Sequence, residues 1–154
     1  MPLWLRALKL ADERLRTVEP WGNDGAIDSM FYAVALRNVI RAVGMARPSA
    51  PCAIDDALAH FDAAVPNGVK MRDMLEHFDD YETGKGKLQK ARNIGGYEVT
   101  FKRAYHPEPG GIITVEGSLA GGAIQVTFEL DTRVATPAAT TLVKTVFEAA
   151  KDRL

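Results

Sequence analysis

A chain of 154 residues, 47% hydrophobic and 25% charged, has the make-up of one globular domain with a substantial core; this excludes a disordered chain and two independent enzymatic domains. Its 19 basic and 20 acidic side chains leave a formal charge of -1, so nucleic-acid binding would require a local basic patch. The single cysteine, Cys52, excludes an internal disulfide and a thiolate zinc cluster. The stretch Met1-Pro2-Leu3-Trp4-Leu5-Arg6 does not build a signal-peptide core, and no segment approaches the roughly 20 apolar residues that span a bilayer. The expected setting is the cytoplasm, without membrane association.

Leu5, Leu8, Ala11 and Leu15 predict a first helix over 3–18, closed by Glu19-Pro20. After Trp21-Gly22-Asn23-Asp24-Gly25, the run 26–45 carries Ile27, Met30, Phe31, Val34, Leu36, Val39, Ile40 and Val43 almost all round its circumference. That pattern predicts a central bundle helix, in which Arg37, Asn38 and Arg41 stand out as polar insertions. Arg47-Pro48-Ser49-Ala50-Pro51 breaks the run, and 54–65 resumes it as a third helix ended by Pro66-Asn67-Gly68. A fourth helix over 69–81 places Met71, Met74, Leu75, Phe78 and Tyr81 on one stripe.

Beyond Gly84-Lys85-Gly86-Lys87 the period changes to two. Tyr97, Val99 and Phe101, then Ile113 and Val115, then Ile124, Val126, Phe128 and Leu130 alternate with polar residues and predict three strands. The links, His106-Pro107-Glu108-Pro109-Gly110-Gly111 and the one around Gly121-Gly122, are short enough for an antiparallel meander. Pro137 suits the first turn of a last helix over 135–153, with Leu142, Val143, Val146, Phe147 and Ala150 on one face. The expected fold is a single α+β domain: a predominantly helical, four-helix bundle-like half (1–83), a three-stranded antiparallel meander (96–131), and a C-terminal helix packing back.

The fourth helix holds the residues of greatest chemical interest, Arg72-Asp73-Met74-Leu75-Glu76-His77. An imidazole titrating near neutrality and a permanently charged guanidinium suit phosphodiester cleavage, because RNA supplies its own nucleophile and needs proton transfer and anion stabilisation. The spacing resembles the Arg-x4-6-His motif of HEPN domains, over roughly residues 1–90. The resemblance implies a dimerising helical bundle in which two motifs form a metal-independent RNA-cleaving site, without a cofactor. His77 would move the proton, Arg72 would hold the phosphate and Asp73 would be the accessory polar residue. Asp79 stands where the family's toxin branch commonly carries Tyr.

Arg72 and His77 lie about 140° apart on a straight helix, so one copy does not aim both at one atom. Catalysis would then depend on a homodimer. Arg37, Asn38 and Arg41, with Lys85 and Lys87, are candidate substrate-binding residues, although the two α-helical arginines equally suit structural ion pairs. The competing reading is a non-catalytic binding or accessory protein, with RNA or a cognate protein as partner. It draws on the neutral charge and on Asp73, Glu76, Asp79 and Asp80 around His77. A lesser one is a metal site drawn from His60, Asp62, Asp73, Glu76, His77 and Asp80.

Overall fold

A computed structural model describes residues 1–17, 23–66, 68, 99–100, 105–108, 111–119 and 124–151. Helix α1 (Pro2–Thr17) begins with proline, whose missing N–H costs nothing in a first helical turn. Its Leu8, Ala11 and Leu15 are buried, as the sequence spacing requires. Helix α2 (Asn23–Met45) is the longest element among the described residues, and a short 3-10 turn (Arg47–Ser49) leads to α3 (Pro51–Ala64), again opened by proline. The expected helix over 69–81 lies outside the described residues.

The sheet corrects the expected three-stranded meander. It comprises β1 (Val99–Thr100), β2 (Tyr105–Glu108), β3 (Ile112–Leu119) and β4 (Ile124–Asp131). Only β3 and β4 pair along their full length, from Ile112↔Asp131 to Leu119↔Ile124; β1 and β2 share the other edge of β3, at opposite ends. Among the described residues α1, α2 and α3 precede the sheet and a further helix follows it. The molecule is thus mostly helical around one full-length, two-stranded antiparallel ladder.

Two local signals account for the difference. His106-Pro107-Glu108 has the composition of a turn but lies in β2, where Pro107 is tolerated because the strand is an edge. Gly117 and Ser118 interrupt the alternation after Val115, whereas the backbone ladder continues through both to Leu119. Main-chain pairing does not depend on an unbroken side-chain pattern.

The last helix, α4 (Thr132–Lys151), starts without any loop where β4 ends. Asp131 makes this possible: its Oδ1 accepts the N–H of Arg133 at 2.8 Å and caps the first turn. Pro137 consequently lies inside the helix and not in its first turn; it is exposed, away from the core stripe of Ala135, Ala139, Leu142, Val143 and Val146. That stripe joins Leu8, Tyr32, Leu36, Val39, Val43, Ile54 and Phe61 in one core. The cross-strand pair Ile113 and Leu130 fastens the sheet to it. Each large aliphatic side chain so buried contributes roughly 1.5–3 kcal/mol of transfer free energy.

The Asp131 carboxylate also holds the Arg133 guanidinium with three contacts, Nη2–Oδ2 at 2.7 Å, Nε–Oδ1 at 2.9 Å and Nε–Oδ2 at 3.2 Å. The hydrogen bond from Arg133 pulls its pKa below the ordinary 3.8, against a smaller opposing effect of burial. A carboxylate with a depressed folded-state pKa stabilises fully above the unfolded value, and this contribution disappears as pH falls through the lower folded one. Asp131→Ala is expected to lower the melting temperature by about 2–4 °C at neutral pH, the effect of losing a cap worth ~1 kcal/mol. Asp131→Asn, which keeps the cap, should flatten the acid limb of the melting profile below about pH 4. An unchanged acid limb would show that the pair carries no linkage.

Candidate functional site

Helix α2 is apolar on two opposite faces. One presents Tyr32, Leu36, Val39 and Val43 to the core, all essentially inaccessible. The other presents Ile27, Phe31, Val34 and Met45 outward, with Phe31 62% and Met45 83% exposed. The sequence pattern predicts burial all round; the structure buries one side, which shares one core with residues of α1, α3 and α4.

The polar insertions fall on or beside the outer face. Arg41 is exposed and Asn38 half-buried, its amide donating to the carbonyl of Val34 at 2.9 Å; Arg37 is half-buried at the margin. Arg37 and Arg41 are one helical turn apart, as their spacing predicts. Arg72, Asp73, His77, Lys85 and Lys87 lie outside the described residues. His60 and Asp62 are exposed on α3, where the His60 Nδ1 lies 2.7 Å from the Asp56 carbonyl. Among the described residues no three carboxylate, imidazole or thiol groups converge on a point where a metal could sit.

A second surface runs between the start of α1 and the end of α4, which the contacts place side by side and antiparallel. Its floor is apolar, with Leu5, Val143 and the half-exposed ring of Phe147, and its rim carries Arg6, Lys9, Lys144 and Lys151 against a single carboxylate, Glu148. The Lys144 ammonium is only loosely engaged by Glu148, at 4.0 Å. Within each helix these cations had a legible spacing, but nothing in the sequence says that α1 and α4 are neighbours.

Between α1, α2 and α4 sits a polar cluster that the sequence reading missed. Asp12 binds the Arg16 guanidinium through both oxygens, at 3.0 and 3.1 Å, which raises the pKa of Arg16 further. Arg14 Nε meets Asp28 Oδ1 at 2.9 Å, and the buried Tyr32 hydroxyl lies 2.9 Å from Thr136 Oγ1. Burial pushes the Tyr32 phenol far above its usual pKa and keeps it neutral. Asp28 Oδ2 and Thr132 Oγ1 are buried without a hydrogen-bond partner. The only advance signal was Asp28, Tyr32 and Thr136 at core positions of amphipathic helices, since buried polar groups are paired with something.

The structure therefore defines a class, a mostly helical α+β protein with an outward apolar stripe and a basic interhelical groove, and no catalytic constellation among the described residues. No known family model, curated protein or solved structure matches the chain. No described helix is long and apolar enough to cross a membrane.

Proposed function

We propose that this chain is a HEPN-like RNA-binding protein that cleaves RNA without a metal, with His77 moving the proton, Arg72 holding the phosphate and Asp73 assisting. The geometric observation that supports it is the groove between α1 and α4. A chain of net charge -1 needs a local cationic track to hold RNA, and Arg6, Lys9, Lys144 and Lys151 surround an exposed aromatic ring there. Cations on a rim with an aromatic face at the floor suit single-stranded RNA, whose phosphates meet the rim while a base stacks on Phe147. The motif Arg72-x4-His77 supplies the chemistry in this reading, and Arg37, Asn38 and Arg41 offer further phosphate contacts.

Two measurements test it. Purified protein incubated with mixed single-stranded RNA in EDTA is expected to cleave, and His77→Ala is expected to bind equally but not to cleave. Fluorescence anisotropy with Lys9→Glu and Lys144→Glu together should show binding weakened at least ~10-fold, with a shallower salt dependence. Binding without cleavage by the unaltered protein would favour the non-catalytic accessory reading, for which the four carboxylates near His77 speak. Absence of both would remove RNA from the account.

A further inference from the structure

The residues that line the groove between α1 and α4 bear on which nucleic acids it accepts. Lys144, Phe147 and Lys151 follow one another on α4 in steps of three and four residues, so they share one face, with the aromatic ring between two cations. The two lysines are about 10 Å apart along the helix axis. A base stacked on Phe147 would carry its two flanking phosphates toward Lys144 and Lys151, while Arg6 and Lys9 on α1 meet the same backbone from across the groove. All these contacts use the charge of a phosphate or the flat face of a base. RNA and DNA offer both equally.

Telling the two apart requires a polar group committed to the ribose 2′-hydroxyl. Among the described residues lining the groove, only Thr140 and Glu148 carry polar side chains besides the four cations, which the phosphates engage. The Thr140 hydroxyl donates to the carbonyl of Thr136 at 2.9 Å, so its proton is committed to its own helix. The Glu148 carboxylate is exposed, where a hydrogen bond to a sugar hydroxyl only replaces one to water, and it repels the phosphates that the rim attracts.

We infer that the groove binds single strands without regard to the sugar, so that single-stranded DNA is a ligand competing with RNA for this site; the inference rests on the RNA reading above. Preference for RNA then enters only where the bond is broken, a step that needs the 2′-hydroxyl as nucleophile. DNA fills the groove uncleaved and acts as an inhibitor.

Fluorescence anisotropy on the full chain carrying His77→Ala, in EDTA, compares labelled RNA and DNA single strands of one mixed sequence. The two are expected to bind within about threefold of each other, and unlabelled DNA should displace labelled RNA. Both should show the same salt dependence, a slope of roughly -3 in log K against log salt if all four cations meet phosphate. Phe147→Ala should weaken both strands alike, at least about fivefold, and Phe147→Trp should retain both, with thermal melts to confirm that the variants fold. RNA bound more than about tenfold tighter than DNA would overturn the inference and leave the RNA reading standing. Failure of both strands to bind would remove the reading and the inference together. Loss of RNA binding alone in Phe147→Ala would put DNA elsewhere on the molecule and overturn the shared site.

Discussion

Gly111→Ala is expected to destabilise the protein by about 2–5 kcal/mol, which for a chain of this size corresponds to a fall of roughly 5–15 °C in melting temperature. Two independent causes add. Gly111 has φ +88°, a backbone conformation that a side chain strains, and an added Cβ would lie 2.3 Å from the hydroxyl oxygen of Thr132. Neither neighbour can retreat: Thr132 is fully buried at the start of α4, and its N–H donates to the Gly111 carbonyl at 2.9 Å. Thr132→Ala removes the colliding oxygen and should recover the steric part but not the backbone part. Thermal melts of the two single variants and the double variant separate these contributions; additive losses in the double variant would refute the clash.

The second large effect is expected from Arg14→Ala, a change at a surface residue. The Arg14 side chain is 66% exposed, but its partner Asp28 is 2% exposed, and Asp28 Oδ2 has no other hydrogen-bond partner. Removing the guanidinium strands a charge in the core. A broken buried pair costs about 3–5 kcal/mol, and because water can reach part of this one we expect about 1–3 kcal/mol. Asp28→Asn introduced on top of Arg14→Ala should restore most of the loss, since it removes the stranded charge and keeps the shape. Chemical denaturation resolves the difference, and a double variant no more stable than Arg14→Ala alone would show that Asp28 is not the cause.

Much of the helical part was legible because one force wrote it. Leu8, Ala11 and Leu15 in α1, and Leu142, Val143 and Val146 in α4, face inward at the spacing that apolar burial demands. The break at Arg47-Pro48-Ser49-Ala50-Pro51 put the start of the third helix at Ile54, within a few residues of Pro51, where α3 begins. The start of α4 was hidden because the helix needs no loop there: Asp131 ends a strand and caps a helix at once, and sequence patterns assume a connection. The two-faced apolarity of α2 was visible but ambiguous, since the buried and the outward stripe draw on the same residue types. The basic groove and the pairs Arg14–Asp28 and Tyr32–Thr136 depend on which helices lie side by side, which local periodicity does not encode. The motif residues Arg72, Asp73 and His77 rest on their spacing and chemistry.

The direct passage from β4 into α4 also bears on how the molecule opens. With Asp131 serving both elements, and Thr132 tied back to Gly111 at the head of β3, no hinge separates ladder from helix. The amides of β3, β4 and the first turns of α4 should exchange with solvent as one unit, at a common opening free energy, because fraying either element first would uncap the other.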